Sequence, residues 1–515
     1  MKKINLILFP NELYQKELVF QKISLSTGIA EKEIKDFRIV RQSIDARKTV
    51  KYNVDLEFIC KEESFTEINY QFDFKEVIKS KSIIIVGAGP AGYFAALECI
   101  LNGIKPIVLE RGKPIEERKF DIAKLNQEQI LNFESNYLFG EGGSGAYSDG
   151  KLYTRSKKRG NNTKILQLLH FFGAKENILF EAHPHIGTDK LPTIMKNIRT
   201  KILDCGGEIY FNTKVIDLII KDLKIYGVKI ENGETIYSDV VVLSTGHSAR
   251  DVYKILDKNG VELQNKGFAM GVRVEHPQEL IDKIQYKQPL GEFLPAASYS
   301  LVKQIDNRGV YSFCMCPGGI IVNSSNESNQ IAVNGMSNSR RNSEFANSGI
   351  VVEIRPEDFL TTYSDTIFAG LEMQEQLERT AYLSSASGLK APAQRLTDFI
   401  TNKVSGSLPK TSYIPGLVSS PLHFWLPEFI RKRLQTAFKE FDKQMNGFLC
   451  KEAVAVGVES RTSSPIKILR NSETLCSTNI AGLYPCGEGS GYSGGIVSSA
   501  IDGVNVIGQI MCRIF

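Results

Sequence analysis

The sequence predicts an α/β protein built from more than one domain, and three observations carry this prediction. A run of β-branched residues at 83–86 leads into a glycine turn and then into a helical segment. Beyond about residue 251 the pattern changes to that of a mixed or antiparallel sheet. A chain of 515 residues also has the length of two or three domains.

The glycine turn carries Gly87, Gly89 and Gly92 at the spacing of a dinucleotide-binding unit. Gly87 permits the tight turn, Gly89 lets a pyrophosphate approach the backbone, and Gly92 lets the helix pack on the strand. A second strand at 106–109 ends at Glu110, near the place of a carboxylate that binds a ribose diol. The alternative for Glu110 is a solvated strand end. The turn and its context predict a Rossmann-like nucleotide-binding fold.

Composition argues against several other classes of protein. The chain is 42% apolar and 23% charged, as globular proteins are, and its net charge of +5 is too small to indicate nucleic acid. Nine cysteines are scattered, mostly in apolar runs, which predicts reduced thiols in a cytoplasmic protein. The apolar stretch at 4–9 is too short for a signal peptide, and no run reaches the length of a membrane span.

Residues 1–77 predict a small N-terminal α+β module. We expect a strand at 4–9, a helix at 11–27, and paired strands at 37–44 and 50–58. Basic side chains cluster near the turn that joins the paired strands: Arg38, Arg41, Arg47, Lys48 and Lys51. A solvated hairpin is the simpler interpretation, and a docking face for a protein partner or an anionic ligand is the alternative.

Two separate stretches are expected to form the nucleotide-binding domain. Residues 81–250 hold its first strands and helices and end in a β-meander and a buried strand. Residues 480–515 return to the same character, with a short strand, a glycine turn and a final helix. Residues 251–479 predict an inserted substrate domain. Its expected strands are 268–274, 310–316, 320–323, 330–334 and 350–354, and its expected helices are 277–284, 364–383 and 427–445.

A second glycine-rich segment, residues 139–152, is predicted to wrap a nucleotide. Its glycines leave backbone N–H groups open to a phosphate or a planar ring, and interspersed aromatic side chains anchor it. A flexible linker is the alternative. His183 and His185 follow, but no cysteine or carboxylate cluster accompanies them, so we expect no metal site.

Together these stretches resemble the FAD domain of the glutathione-reductase-type flavoproteins. More narrowly, the chain resembles a family of uncharacterised bacterial FAD-dependent dehydrogenases over nearly its whole length. The segments that carry this narrower resemblance are 139–152, 185–191, 244–250, 311–319, 391–395, 461–465 and 483–495. The resemblance implies an FAD/NAD(P)-binding fold with FAD as the cofactor.

The resemblance also implies where FAD makes its contacts. The first glycine turn would hold the pyrophosphate, Val215 would meet the adenine, and the N–H groups of Gly495 and Ile496 would face the N1/O2 edge of the flavin. The full set of implied contacts is Gly87, Gly89, Pro90, Ala91, Gly92, Glu110, Arg111, Gly142, Gly143, Ser144, Gly145, Val215, Thr245, Gly246, Gly487, Glu488, Gly494, Gly495 and Ile496.

The candidate catalytic residues have less support from the sequence. Arg395 and Arg461 stand among small residues, where a guanidinium can clamp a carboxylate or a phosphate, and an interdomain salt bridge is the alternative for each. Lys151 is a similar candidate. Cys314 and Cys316 would point to one face of a strand as a redox pair, but buried, inert thiols are the preferred interpretation.

These features predict a cytoplasmic FAD-dependent oxidoreductase that passes hydride or electrons through the flavin to an unidentified small molecule. No second strand–GxGxxG–helix unit is present in the sequence, so NAD(P)H would act as a transient reductant that visits the substrate cleft. One alternative is a flavin-dependent RNA-modifying enzyme, against which the small net charge argues. The other is a FAD-bound sensor or partner-binding protein without turnover, with residues 1–77 as its output surface.

Overall fold

Three sheets organise the chain: a parallel sheet, a larger mixed sheet and a small N-terminal sheet. The structure is a computed structural model and describes residues 1–66, 70–153, 160–288, 290–360, 362–385 and 388–514. This architecture confirms the predicted α/β class with an inserted mixed-sheet domain. Among the described residues, no helix is long and apolar enough to cross a membrane.

The parallel sheet takes its strands from two distant parts of the chain. Its strands, in spatial order, are Leu483–Pro485, Val241–Leu243, Ser82–Val86, Lys105–Leu109 and Glu208–Tyr210. The central strands are buried runs of Val and Ile, as strands covered on both faces must be. The helices of this region are Pro90–Leu101, Ile115–Glu128, Asn162–Phe171, Leu191–Asp204, Arg250–Lys258 and Ile496–Ile514. A three-stranded meander, Val215–Lys221, Lys224–Ile230 and Thr235–Tyr237, lies before the strand Val241–Leu243 in the chain.

The final helix, Ile496–Ile514, packs closely against Pro90–Leu101. The contact is close because Gly503 faces Ala91: a β-carbon at Gly503 would lie 2.3 Å from the Ala91 carbonyl oxygen. The chain after the inserted domain therefore supplies both an edge strand and a helix to the parallel sheet.

The mixed sheet forms the core of the inserted domain. Its seven strands, in spatial order, are Val302–Ile305, Arg308–Cys316, Phe345–Ile354, Phe268–Pro277, Val454–Glu459, Ala391–Arg395 and Leu417–Ser419. Only the last two strands pair in parallel. Its helices are Gln278–Tyr286, Pro356–Phe359, Ala369–Leu383, Leu396–Ile400, Leu422–Trp425 and Glu428–Gln444. Two strand pairs complete the domain: Gly319–Asn323 with Val333–Ser337, and Leu263–Asn265 with Ile466–Ile468.

The N-terminal module has the predicted α+β character. Its antiparallel sheet has the order Lys2–Leu8, Lys51–Cys60, Ile34–Asp45, and its helices are Pro10–Leu13 and Lys16–Thr27. Its apolar core is continuous with that of the mixed-sheet domain. At the junction the Tyr52 hydroxyl donates to the Phe293 carbonyl over 3.1 Å. The module is therefore packed onto the inserted domain instead of standing apart.

Some predicted elements are wrong in their bounds. The expected helix 11–27 is broken into two, and the helix expected from residue 364 begins at Ala369. The strand expected from Gln330 begins at Val333, because the buried Gln330 side chain bonds Arg250 and Glu327 in a loop. Arg395 ends a strand instead of lying in a loop.

Candidate functional site

A cavity of about 380 Å³ lies between the carboxyl ends of the parallel strands and the mixed sheet. This is the place where open parallel sheets bind ligands. Sixteen of the implied cofactor contacts line it: Gly87, Gly89, Pro90, Ala91, Glu110, Arg111, Gly143, Ser144, Gly145, Val215, Thr245, Gly246, Glu488, Gly494, Gly495 and Ile496. Three do not line it: Gly92, Gly142 and Gly487.

The first glycine turn forms one wall of the cavity. Gly87 has φ +105° and donates to the Leu109 carbonyl over 2.8 Å, which fixes the turn between two strands. Gly89 caps the helix Pro90–Leu101. Gly92 faces away from the cavity, since its β-carbon would lie 1.9 Å from the Gly87 carbonyl oxygen. Gly92 is a packing residue, while the peptide groups at the helix start are open to the cavity.

Four glycines, Gly89, Gly246, Gly494 and Gly495, have open space where a side chain would lie. A β-carbon at Gly246, Gly494 or Gly495 would meet no protein atom within 4 Å, and one at Gly89 would meet only the Gly143 Cα at 4.0 Å. Protein packing therefore does not require glycine at these positions. Their side-chain space opens into the cavity, as expected where backbone N–H groups must approach a ligand closely.

Glu110 lies at the cavity wall, but its carboxylate is largely committed to the protein. One oxygen accepts from the backbone N–H of Ala88 over 2.9 Å. The other accepts from the N–H groups of Gly112 over 2.9 Å and Gly140 over 3.0 Å. The buried carboxylate therefore ties the first glycine turn to residues 139–152 and has little capacity left for a ribose.

Arg111 closes the side of the cavity near the meander. Its guanidinium bonds Asp251 through two 3.0 Å hydrogen bonds, forms an ion pair with Glu134, and lies 4.3 Å from the centre of the Phe139 ring. Burial alone would lower the pKa of Arg111, but the two carboxylates raise it overall. The arginine is held in place by acids and joins residues 139–152 to the helix Arg250–Lys258.

His247 lines the cavity but is not among the contacts predicted from the sequence. Its Nδ1 lies 3.5 Å from a carboxylate oxygen of Glu488, and both residues line the cavity. Its Nε2 is buried and finds no partner among the residues that the structure describes. An unpartnered polar atom at a cavity wall is available to a ligand. The only sequence signal was that His247 directly follows the predicted Thr245–Gly246 turn.

Arg461 reaches the cavity edge, but a buried carboxylate holds it. Glu378 is fully buried and accepts five hydrogen bonds from Arg250, Arg461 and the Ser460 hydroxyl, at 2.6–3.1 Å. Burial would raise the pKa of Glu378, but the two arginines lower it to about 2. Arg461 also bonds Asn326. Arg461 and Glu378 both belong to the inserted domain, and Arg250 joins them from the stretch before it, so Arg461 is held in a buried salt bridge but finds its acid within one domain.

Cys314 and Lys151 face the cavity from its other side. The pairing of Arg308–Cys316 with Phe345–Ile354 shifts register after Phe313, and Cys314 has φ +46°. The Lys151 ammonium donates to the Met315 carbonyl and lies 3.7 Å from the buried carboxylate of Asp149. The expected regular strand, with both thiols on one face, is wrong because this β-bulge interrupts the alternation.

Two of the candidate catalytic residues, Cys316 and Arg395, do not line the cavity. Cys316 is buried behind Cys314 and lies 3.5 Å from an Arg273 nitrogen. Arg395 lies outside the cavity, with its guanidinium on the backbone carbonyls of Ser407 and Lys451. A substrate-facing role for Arg395 is therefore not compatible with this geometry. No group of three or more His, Cys, Asp or Glu within the described ranges is disposed to hold a metal.

Comparison with known proteins places the chain in a family. Residues 267–462 match a family described as "FAD-dependent protein, C-terminal domain-like", and residues 1–59 match a domain of unknown function. An uncharacterized protein of Clostridium beijerinckii is 40% identical over 513 residues, which is 95% of each chain. The chain belongs to the family of that protein. FAD is the cofactor that the family description names and that the open glycines and His247 accommodate.

Solved structures show only a distant likeness to this chain. The flavin-dependent brominase Bmp2 is 12% identical, covers 84% of this chain and 80% of its own, and gives a TM-score of 0.35. The tetracycline destructase Tet(55) is 12% identical over 85% and 82% of the two chains, with a TM-score of 0.34. CtdE in complex with FAD is 10% identical over 83% and 82%, with a TM-score of 0.29. These values are too low to indicate the reaction of this chain.

Proposed function

We propose that this protein is an FAD-dependent oxidoreductase that transfers hydride or an electron pair between the cofactor and an unidentified small molecule. The observation that carries the proposal is a single cavity onto which the starts of two helices open at glycines, Gly89 before Pro90–Leu101 and Gly494–Gly495 before Ile496–Ile514. Free N–H groups at a helix start favour electron-rich ligand atoms. Two such starts in one cavity suit a ligand with a phosphate group at one end and an electron-poor ring at the other.

The residues that would hold FAD follow from this arrangement. The helix start at Gly89–Ala91 would bind the pyrophosphate, and Gly495 and Ile496 would face the flavin ring, as in the glutathione-reductase-type placement. His247 would use its unpartnered Nε2 to hydrogen-bond the cofactor, with Glu488 fixing the orientation of the imidazole. When bound, flavin supplies the hydride chemistry. The protein would supply position, exclusion of water and a positive helix terminus.

The substrate would enter from the mixed-sheet side. Lys151, Cys314 and Thr462 line the same cavity as the helix starts, so a molecule bound beside them would lie near the cofactor. Within the described ranges there is one parallel nucleotide-binding sheet. A nicotinamide nucleotide that reduces the flavin would therefore have to enter this cavity as a transient ligand. All nine cysteines are free in the structure, which favours a reducing compartment such as the cytoplasm.

The first test is the visible spectrum of the purified protein. We expect an oxidised flavin spectrum that bleaches during anaerobic titration with NADH or NADPH. Bleaching with neither nucleotide would direct the search to organic donors. A colourless protein that binds no added FAD would overturn the proposal.

A matched pair of variants tests the cavity directly. Gly494 and Gly406 are both exposed, have ordinary φ values and leave a new β-carbon clear of protein atoms, but only Gly494 lines the cavity. We expect Gly494→Val to weaken FAD binding by at least about tenfold, which corresponds to about 1.4 kcal/mol. Gly406→Val should bind FAD as the unaltered protein does. Equal affinities in a fluorescence titration of the two variants would contradict the assignment.

A further inference from the structure

We propose that Cys314 and Cys316 form a thiol–disulfide exchange site that opens on the cavity and accepts a small-molecule disulfide. Cys314 would be the attacking thiolate and Cys316 the resolving thiol. The proposal rests on the proposed function only in taking the cavity as the place where substrate and cofactor meet. It gives that cavity a chemical class of substrate, which neither the fold nor the family description supplies.

The backbone at Cys314 is the first support. Cys314 has φ +46°, a left-handed conformation that non-glycine residues rarely adopt, and such strain collects at functional sites. Here the strain coincides with a β-bulge, where the register against Phe345–Ile354 shifts between Phe313 and Cys316. Bulges re-aim side chains beside active sites. The result is a partly exposed Cys314 at the cavity wall and a fully buried Cys316 two residues further on.

The charges around Cys314 are the second support. The fully buried Arg273 donates to the Cys314 carbonyl over 2.7 Å and pairs with Glu459 over 2.7 Å. Lys151 lies on the cavity side and has Asp149 as its counter-ion at 3.7 Å. Asp149 is in turn bonded by Arg341 at 2.5 Å, so Lys151 shares that carboxylate with a second cation. A site with cations in excess of their local acids stabilises a thiolate.

The pKa directions agree with this geometry. The adjacent Cys316 thiol, with Lys151 and Arg273, lowers the pKa of Cys314 to about 5 against the effect of burial. The same pairing and burial raise the pKa of Cys316 well above its ordinary value. These opposite directions favour ionisation of the Cys314 thiol and retention of the proton on Cys316, which is the arrangement that exchange requires.

The two sulfurs are close enough in the chain to be joined. The Cys316 thiol donates to the Cys314 carbonyl over 3.2 Å. Two residues span at most about 7 Å even when fully extended, and the Cα separations that a disulfide bridges reach about that length.

The exchange balances in two steps. The Cys314 thiolate attacks one sulfur of the small disulfide, forms a mixed disulfide and releases one thiolate. The Cys316 thiol, losing its proton, then attacks the Cys314 sulfur, closes the internal disulfide and releases the second thiol. The substrate gains two electrons and the protein dithiol loses two. Return to the dithiol takes two electrons and two protons, which an added dithiol supplies by the same exchange.

The test uses the FAD-loaded protein with 2,2′-dipyridyl disulfide, which releases a coloured thione. At pH 6 a thiol of pKa about 5 should react roughly tenfold faster than one of ordinary pKa, after allowing for its lower nucleophilicity. We expect a fast phase of two thiones per chain and an internal disulfide joining Cys314 and Cys316 in peptide maps. Cys316→Ser should release one thione and keep the pyridyl group. Cys314→Ser should lose the fast phase.

Cys60 provides the matched control, since it is partly exposed but lies outside the cavity. Cys60→Ser should keep the full fast phase. A fast phase that survives Cys314→Ser, or a fast phase of one thione in both the unaltered protein and Cys316→Ser, would overturn the proposal. The Cys316→Ser comparison also decides the question should Cys314→Ser not fold. The flavin spectrum is recorded separately, because the exchange of the thiols with the added disulfide needs no flavin. A protein without bound FAD would contradict the proposed function, whereas a missing fast phase would contradict the thiol site.

Discussion

Removing the charge of Glu378 should destabilise the protein strongly. Its carboxylate is fully buried between Arg250 and Arg461, whose side chains are only 3% and 4% exposed. Glu378→Gln would remove the acid that pairs with Arg461 and leave Arg250 with only the longer contact to Glu375 at 3.8 Å, and breaking a buried pair in this way costs about 3–5 kcal/mol. The fall in the pKa of Glu378 from 4.5 to about 2 corresponds to a similar loss, about 3 kcal/mol.

Urea unfolding followed by the fluorescence of Trp425 measures this effect. Trp425 is the single tryptophan of the chain and lies in the inserted domain that contains Glu378. With an m-value of about 3 kcal/mol/M, the expected loss lowers the midpoint by about 1 M. Glu375→Gln is the control, because Glu375 lies one turn away on the same helix and makes only longer, partly exposed ion pairs with Arg250 and Arg379. We expect it to cost less than about 1 kcal/mol.

The pH dependence gives the same prediction an independent check. Because the pKa of Glu378 is lowered on folding, its contribution is fully present above pH 4.5 and is lost as the pH falls toward 2. The difference in stability between the unaltered protein and Glu378→Gln should therefore narrow between pH 5 and pH 3. Equal midpoints for the Glu378 and Glu375 variants, or a difference that stays constant down to pH 3, would refute the reasoning.

Two further predictions concern residues whose roles the structure separates. Gly92→Ala should lower stability in thermal melts by at least about 1–3 kcal/mol and impair FAD binding, because its methyl group would strike the Gly87 carbonyl. Gly508→Ala, where nothing lies within 4 Å, should stabilise the protein by about 0.5–1 kcal/mol in the same melts. Arg395→Ala should leave FAD affinity and the rate of anaerobic reduction unchanged, since its guanidinium bonds backbone carbonyls outside the cavity. A tenfold change in either quantity would show that Arg395 acts at the site.

The elements that local pattern determines could be predicted from sequence. The strand Ser82–Val86, the turn through Gly87 and the helix Pro90–Leu101 lie where the hydrophobic run and glycine spacing place them. The return of Leu483–Pro485 to the same sheet was also expected, because a second glycine turn follows it. Each signal is contained within about a dozen residues, so it can be recognised without knowledge of the rest of the fold.

Roles that depend on distant partners could not be predicted in the same way. Whether Arg461 contacts a substrate or is held in a salt bridge depends on Glu378, which lies 83 residues earlier in the chain and reaches it only through packing. The Glu110 carboxylate is occupied by protein donors, among them the N–H of Gly140, and the spacing between the glycine turn and Glu110 does not reveal this contact. Strand alternation likewise failed at Cys314, because a bulge is decided by how two paired strands differ in length.

The position of Leu483–Pro485 and Ile496–Ile514 in the chain has a consequence for biosynthesis. These segments emerge from the ribosome only after the whole inserted domain. Until then the helix Pro90–Leu101 lacks the neighbour that covers it, and the cavity lacks the wall formed by Glu488 and Gly494–Ile496. A nascent chain interrupted within the inserted domain would present an uncovered apolar helix to proteases and chaperones. Only chains whose synthesis had passed residue 496 would then be able to bind the cofactor.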